Sequence, residues 1–182
     1  FPFGVSLKMS LYDSATKTVK STVDATGMLE PATTDSNGKV TDVNAHPHPS
    51  NSGKLAIVHN GIIENFEELK KELEKEGYVF KSETDSEVIA NLLQKNYETV
   101  KDVKNAIIKT VSKLKGHYAF VAMFENGQLA AARFHEPLIV GIGKNGYFLS
   151  SDVLGFIEQT DNAIYIENGN FVIIDNDKLQ IL

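Results

Sequence analysis

The dipeptide Asn60-Gly61 combines two groups that can stabilise a developing negative charge. A side-chain amide beside a backbone N–H can donate two hydrogen bonds to one oxygen, which is the geometry of an oxyanion hole. The pair follows an apolar run at residues 56–58 and precedes "FEELKKELEKEG", which has the pattern of a helix. Asn-Gly pairs also form tight turns, because both residues tolerate positive φ. The dipeptide alone leaves both interpretations open.

Asp85 is a second candidate, in the stretch "SETDSE" at the expected start of a helix. A carboxylate in the first turn complements the helix dipole, and this explanation requires no ligand. However, Thr84 can cap the helix by itself. Asp85 is then available to bind the ammonium group of a ligand.

His46 and His48 form a third candidate in "NAHPHPS". On an extended chain, residues two apart point the same way, which would suit a metal ion. No third ligand lies nearby in the sequence. We therefore favour histidines held by hydrogen bonds in a Pro-containing turn, and we expect no metal site.

Composition limits the class of protein. A chain of 182 residues is long enough for one domain with a substantial core. The net charge of −6 argues against nucleic-acid binding, and no apolar run is long enough to cross a membrane. Without Cys there is no disulfide and no thiolate metal site. We expect a cytoplasmic protein.

Apolar spacing predicts the elements around these candidates. A short buried strand, "GKLAIVHN", precedes a helix that Asn65 and Glu68 would begin as a capping box. "YVFKSETD" has the pattern of a strand that ends at a second cap, Thr84 with Glu87. A further helix is expected over about residues 102–115, with its apolar positions on one face.

The remainder of the chain favours strands. Hairpins are expected around Asn126-Gly127, residues 143–146 and Asn168-Gly169, because each turn separates two apolar runs. "DVLGFIEQ" predicts a short helical turn, and residues 1–43 predict loops or weak edge strands. Helices followed by antiparallel hairpins indicate an α+β fold rather than a nucleotide-binding βαβ fold.

Taken together, the stretches match one family. The chain contains, in this order, "VNAHPH", "VHNGIIENFEELKKELEKEGYVFKSETDSEVIA", "LKGHYAFVAMF", "LAAARF", "PLIVGIG", "FLSSDVL" and "IYIENGNFVII". Over about residues 42–176 it closely resembles the glutaminase domain of glutamine–fructose-6-phosphate aminotransferases, a class II glutamine amidotransferase family. The resemblance implies an N-terminal-nucleophile hydrolase fold, a four-layer sandwich with two antiparallel sheets between helical layers.

The resemblance also implies roles for the candidates. It assigns Asn60 and Gly61 to the oxyanion hole for glutamine hydrolysis. It assigns Asp85 to the α-ammonium group of the substrate. The family's glutaminase step uses no metal and no organic cofactor, so none is expected here.

Two departures from the family pattern stand out. The family's nucleophile is an N-terminal cysteine, whereas residue 1 is Phe1 and the chain has no Cys. In the family's substrate-binding segment, Thr33 replaces the arginine that holds the glutamine carboxylate, and Ser36 and Asn37 replace the threonine and histidine that follow. Either the active half has decayed, or the sequence is an incomplete or altered form of an ordinary glutaminase domain. The abrupt improvement of the match near residue 42 slightly favours the second explanation.

The resemblance implies one glutaminase-like domain over residues 1–182, with 1–43 divergent or incomplete and the family's sugar-isomerase domain absent. Its expected function is to hydrolyse glutamine to glutamate and ammonia, for synthesis of glucosamine 6-phosphate from fructose 6-phosphate. Glutamine, and a sugar-isomerase domain or subunit, are the expected partners. The alternative is an inactive pseudo-glutaminase that senses glutamine or docks on a partner.

Overall fold

The structure is a computed structural model that describes residues 4–13, 18–28, 42–144, 146–176 and 178–182, with the backbone alone for 4–13, 18–28 and 42. The helices of the described chain are α1 (Phe66–Lys75), α2 (Asp85–Val100) and α3 (Val103–Val111). The strands are β1 (Gly4–Asp13), β2 (Thr18–Met28), β3 (His48–Pro49), β4 (Leu55–Ile63), β5 (Gly116–Phe124), β6 (Leu129–Phe134), β7 (Ile139–Gly143), β8 (Gly146–Ser150), β9 (Ala163–Tyr165), β10 (Phe171–Asp175) and β11 (Lys178–Ile181). Within these described ranges, no helix is long and apolar enough to cross a membrane.

The strands pair in antiparallel sheets. Six strands pair in the order β11-β10-β6-β5-β4-β3, three pair as β8-β7-β9, and β1 pairs with β2. The six-stranded sheet has a hydrophobic core on each face. One core packs against the helices and includes Ile57, Phe120 and Leu93, whereas the other packs against the three-stranded sheet and includes Val58 and Val140. These layers confirm the α+β fold with two antiparallel sheets.

A short turn covers the outer face of the three-stranded sheet. Val140 points into the core between the sheets, so its neighbour Gly141 faces outward. The buried ring of Phe156 packs there, since a Cβ on Gly141 would lie 2.7 Å from its Cδ2. Phe156 follows a 3-10 turn at Val153–Gly155, which confirms the short helical turn expected for this segment.

Two of the three expected hairpins are confirmed, and the third is wrong. β5 pairs with β6, and β7 pairs with β8. β9 instead pairs with β7, whereas β10 pairs with β6 and β11 in the other sheet. Between them, Ile166 is buried, its N–H donates to the Leu138 carbonyl, and its own carbonyl accepts from Arg133 Nη1 at 2.8 Å. The turn at Asn168-Gly169 therefore carries the chain from one sheet to the other.

The expected capping box at α1 is wrong. Asn65 makes no side-chain cap hydrogen bond to α1. Its amide nitrogen donates to the Lys113 carbonyl at 2.9 Å, and its amide oxygen accepts from the Lys115 N–H at 2.9 Å. Asn65 thus ties the start of α1 to the segment after α3, because these tertiary partners compete with the local N–H groups.

The segment before α2 also departs from expectation, since residues 78–84 form no strand. Glu87 accepts hydrogen bonds from the Lys81 and Ser82 N–H groups at 3.0 and 2.6 Å, and from Ser82 Oγ at 2.7 Å. These bonds hold the segment against the first turn of α2. The N–H groups of Lys81 and Ser82 are therefore not available to pair with a strand. Thr84 makes no side-chain cap hydrogen bond either.

Residues 1–43 contain longer strands than expected. β1 and β2 form an antiparallel pair of ten and eleven residues. The missed signal is the alternation of Val5, Leu7, Met9 and Leu11, which has the period of two that strands require.

Candidate functional site

Asn60 and Gly61 lie inside β4. The ladder to β5 continues through both residues as far as Ile63. Gly61 has φ +110°, and a Cβ at this position would lie 2.1 Å from the carbonyl oxygen of His117. Only glycine is compatible with both the conformation and this contact. The hairpin-turn interpretation, and the expectation that the strand ends at Asn60, are therefore wrong.

Asn60 lies on the face of β4 that points towards the three-stranded sheet. Val58, two residues earlier, and Ala119, the partner of Asn60 on β5, belong to the core between the sheets. Asn60 itself is only half-buried, at the end of this core. Asn60 is therefore partly exposed beside Gly61. That the amide and the Gly61 N–H converge on one oxygen stays a prediction.

Asp85 is the first residue of α2 and contacts β4 on both sides of Asn60-Gly61. Its Oδ2 accepts from the Ile63 N–H at 2.7 Å, and its Oδ1 lies 3.9 Å from His59 Nδ1. Burial raises the pKa of the Asp85 carboxyl, whereas hydrogen bonds from Ile63 and from the first turn of α2 oppose that rise. The side chain is 15% exposed, so the carboxylate remains reachable by a small cation.

A serine hydroxyl joins two histidines to the start of α2. Ser86 Oγ lies 3.0 Å from His59 Nδ1 and 3.2 Å from His46 Nε2. His48 Nε2 lies 3.2 Å from Thr84 Oγ1, one residue before Asp85. The hydrogen-bonded interpretation of His46 and His48 thus has specific partners. Among the described residues, no group of three or more His, Cys, Asp or Glu side chains could hold a metal ion.

These three histidines are neutral near pH 7. Burial lowers the pKa of His59 to about 3 and that of His46 to about 4. Burial also lowers the pKa of His48, partly offset by the charge of Glu87. Neighbouring histidines lower the pKa of His59 further, and His117 is one of them. The cluster therefore supplies hydrogen bonds without charge beside β4.

His117 and Glu136 form a hydrogen-bonded pair that no sequence pattern indicated. His117 Nδ1 lies 2.6 Å from Glu136 Oε1, and the two side chains are 43% and 28% exposed. The residues are nineteen positions apart, and pairing of β5 with β6 brings them together. No local motif links such positions, so no sequence signal could have found the pair.

Four of the residues singled out from the sequence lie outside the described residues: Phe1, Thr33, Ser36 and Asn37. A cleft of about 220 Å³ between Arg133, Leu138, Asp152 and Tyr165 does not include Asn60 or Asp85. The candidate site is therefore the end of the β4–β5 ladder with the start of α2.

Comparison with known proteins identifies the chain's relatives. Residues 37–157, about two thirds of the chain, match the model of the glutamine amidotransferase domain family. The glutamine–fructose-6-phosphate aminotransferase (isomerizing) of Methanothermobacter thermautotrophicus is 47% identical over 142 residues, which cover 77% of this chain and 24% of that protein. The enzyme of the same name from Aquifex aeolicus is 47% identical over 146 residues, 79% of this chain and 24% of that protein. The chain thus spans about a quarter of the length of these curated relatives.

A solved structure shares the fold. The glutamine phosphoribosylpyrophosphate amidotransferase from B. subtilis, complexed with ADP and GMP, superposes with a TM-score of 0.62 and 30% sequence identity. The match covers 70% of this chain and 28% of that chain. This likeness confirms the N-terminal-nucleophile hydrolase type of fold expected from the sequence.

Proposed function

Because this chain belongs to the glutamine amidotransferase domain family, we propose that it is the glutaminase half of a glutamine–fructose-6-phosphate aminotransferase. Its reaction is hydrolysis of glutamine to glutamate and ammonia. A sugar-isomerase domain or subunit then uses the ammonia to make glucosamine 6-phosphate from fructose 6-phosphate. We place the reaction in the cytoplasm and treat residues 1–182 as one glutaminase-like domain, with 1–43 divergent from the family.

In this proposal Asn60 and Gly61 stabilise the oxyanion that forms when the side-chain amide of glutamine is attacked. Asp85 binds the α-ammonium group, and Thr33, Ser36 and Asn37 occupy the family's substrate-binding segment. In the family the nucleophile is a cysteine thiol that would attack the amide carbon, and the 182 residues contain no Cys.

The observation that carries the proposal is the contact of Asp85 with β4. Its carboxylate spans from His59 to Ile63 and so brackets the Asn60-Gly61 step. The carboxylate proposed to bind the ammonium group and the donors proposed for the amide oxygen therefore lie at one end of the same strand. Binding of glutamine through both its α-ammonium group and its side-chain amide requires this combination.

The second candidate function is an inactive glutamine-binding module. The absence of Cys from all 182 residues favours it, since no thiol is available as nucleophile. Both functions require that glutamine binds at Asp85.

Calorimetric titration of the purified chain with glutamine tests this requirement. We expect binding by the unmodified protein, and an affinity about tenfold or more lower for Asp85→Asn, because a charge-assisted hydrogen bond is lost. The amide oxygen of the new Asn can still accept from the Ile63 N–H, so the fold is retained.

Asp152→Asn is the matched control. Asp152 is also a carboxylate that accepts a hydrogen bond from a backbone N–H, that of Leu154 at 2.9 Å. However, it lies in the turn that follows β8 of the three-stranded sheet. Its replacement is expected to leave glutamine affinity unchanged. No glutamine binding by the unmodified protein, or equal affinities for Asp85→Asn and the parent, would contradict the proposed function.

A further inference from the structure

Ser86 supplies a buried hydroxyl group beside the candidate site. It is the second residue of α2, and only 1% of its surface is exposed. Its Oγ lies 3.0 Å from Nδ1 of His59 and 3.2 Å from Nε2 of His46, so two rings from different segments meet at one oxygen. A hydroxyl group has one proton to donate and two lone pairs that accept. The direction of each bond therefore depends on which nitrogen of each ring carries the proton.

The surroundings of His59 favour a proton on Nδ1. The ring is buried and neutral, so only one of its nitrogens is protonated. Nδ1 lies 3.9 Å from Oδ1 of Asp85, and an ionised carboxylate can only accept. Nε2 has no hydrogen-bond partner among the residues that the structure describes. A proton on Nε2 would therefore bury an N–H group without such a partner, and would turn the Nδ1 lone pair towards the negative charge of Asp85.

A bond accepted from His59 leaves the hydroxyl proton of Ser86 for a second partner. Nε2 of His46 lies within hydrogen-bond distance on one side. The carboxyl group of Asp85, the preceding residue, is also affected by this hydroxyl. Burial raises the pKa of Asp85, and the Ser86 side chain is among the groups that lower it. One hydroxyl group thus connects the His59 ring, the segment before β3 and the candidate ammonium-binding carboxylate.

Both oxygens of Asp85 face an N–H group in this arrangement. Oδ2 accepts from the Ile63 N–H at 2.7 Å. Oδ1 faces the protonated Nδ1 of His59 at 3.9 Å, which is too long for a hydrogen bond but short enough for electrostatic attraction. The orientation of the His59 ring, which Ser86 fixes, therefore helps to hold the carboxylate in place.

We propose that Ser86 is a positioning residue of the glutamine site: it holds His59 with its Nδ1 proton beside Asp85, and so fixes the carboxylate that binds the α-ammonium group. The inference rests on the proposed function, because that function gives Asp85 its ligand. Since Ser86 is almost fully buried, it acts through Asp85 and His59 and not by contact with glutamine.

Nitrogen NMR of the unmodified chain without ligand tests the orientation of His59. The chemical shifts of the two ring nitrogens distinguish a protonated nitrogen from an unprotonated one. We expect the proton on Nδ1. A proton on Nε2 would overturn the inference, because the Nδ1 lone pair would then face Asp85.

Two replacements of Ser86 test its effect on Asp85. Ser86→Ala should raise the pKa of Asp85, measured by carboxyl-carbon NMR, and should lower glutamine affinity about fivefold in calorimetry near pH 7. Ser86→Thr keeps the hydroxyl group and should retain the parent values. As the pH is lowered, Ser86→Ala should therefore lose glutamine affinity at a higher pH than the parent. A hydroxyl group that only stabilised the fold would not move this pKa.

Other titrating groups do not obscure this pH dependence near pH 7. The titratable groups that face Asp85 are His59 from β4 and, across Ser86, His46 from the segment before β3. Burial lowers their pKa values to about 3 and about 4, so both are neutral. Glu87, on the same helix as Asp85, accepts instead from the segment before α2.

Ser150→Ala is the matched control. Ser150 is also a buried serine, 2% exposed, and its hydroxyl oxygen accepts from the Asp152 N–H at 3.2 Å beside the other sheet. Its replacement should leave the pKa of Asp85 unchanged and glutamine affinity within about twofold of the parent.

The outcomes separate the two proposals. If the parent binds no glutamine, the proposed function fails, and the role of Ser86 in it fails as well. If the parent binds glutamine but the pKa of Asp85 is the same in Ser86→Ala, or if Ser86→Thr behaves as Ser86→Ala does, the hydroxyl group does not position Asp85. The inference is then wrong, whereas the proposed function stands.

Discussion

Gly61 is held by two constraints that act together at one residue. Its φ of +110° lies where L side chains are strained, and its Cα faces the His117 carbonyl. Gly116 on β5 has the reciprocal contact, with φ +118° and a Cβ position 2.1 Å from the Ile62 carbonyl oxygen. The two strands therefore approach each other closely where the candidate oxyanion donors lie, and both positions require glycine.

Gly61→Ala is expected to destabilise the protein by about 3 kcal/mol or more, because backbone atoms must move to admit the methyl group. Gly53→Ala is the control, since Gly53 also has positive φ, +73°, but has open space around it. It should cost only about 1–2 kcal/mol, the conformational term alone. Urea denaturation measures the free energy of unfolding of both variants. Equal losses of stability would show that the close contact of Gly61 with the His117 carbonyl does not add to the cost of Gly61→Ala.

The start of α2 is the element that joins the site to the rest of the fold. Ser86 contacts His59 on β4 and His46 in the segment before β3, whereas Asp85 bonds the end of β4. Glu87 meanwhile folds the preceding loop against the same turn. One helical turn therefore sets the relative positions of β4, the histidine segment and the candidate ammonium-binding carboxylate.

The neutral histidines around this turn predict a pH dependence of stability. The pKa values of His59 and His46 are lowered to about 3 and about 4, from an ordinary value of 6.5 that the unfolded chain retains. Between pH 6.5 and 4 the unfolded chain takes up protons that the folded protein does not. The free energy of unfolding should therefore fall by a few kcal/mol as the pH is lowered through this window.

Chemical denaturation at a series of pH values measures the slope of the free energy of unfolding against pH. His46→Gln should flatten it, because one of the buried histidines is removed. His135→Asn should keep the parent slope, since His135 is exposed and Asn tolerates its φ of +66°. Two acidic groups beside the cluster act against this fall, because Glu87 raises the pKa of His48 and burial raises the pKa of Asp85. An unchanged slope in His46→Gln would show that His46 does not contribute to the pH dependence of stability.

Local pattern predicted those elements whose partners are close in sequence. The hairpins β5–β6 and β7–β8 each have an apolar run on both sides of a glycine turn, so local signals agree with the final pairing. The turn at Asn168-Gly169 has the same signal, yet it joins two sheets. The two sheets are joined here because Ile166 is buried and its carbonyl accepts a hydrogen bond from Arg133, thirty-three residues earlier. The local sequence around the turn does not indicate a partner so far away in the chain.

For the candidate site, the sequence indicated the residues but not the contacts between them. Asn60, Gly61 and Asp85 lie in stretches whose order identifies the family, so the resemblance could assign them roles. The bonds of Asp85 to Ile63 and of Ser86 to two histidines depend on how α2 packs against β4. The pair of His117 and Glu136 depends on strand register. Contacts of this kind follow only from the assembled fold.

At the scale of the whole molecule, the chain has the fold of the glutamine amidotransferase domain family, and its 182 residues contain no Cys. Removal of a catalytic nucleophile costs on the order of 10⁶ in turnover, so a protein of this sequence is expected to release no measurable ammonia from glutamine. Phe1→Cys alone should recover little, because Thr33 cannot hold the substrate carboxylate as an arginine does. Phe1→Cys with Thr33→Arg should recover more than the sum of the single replacements.

Ammonia release by this doubly replaced protein, verified by intact mass, tests the central claim that Asn60-Gly61 is the oxyanion site for glutamine hydrolysis. Adding Asn60→Ala should lower kcat by about 10²–10³ while glutamine binding persists, because the lost donor acts on the transition state. Asn60→Ala that leaves kcat unchanged, or clear turnover by the unmodified chain, would contradict the account.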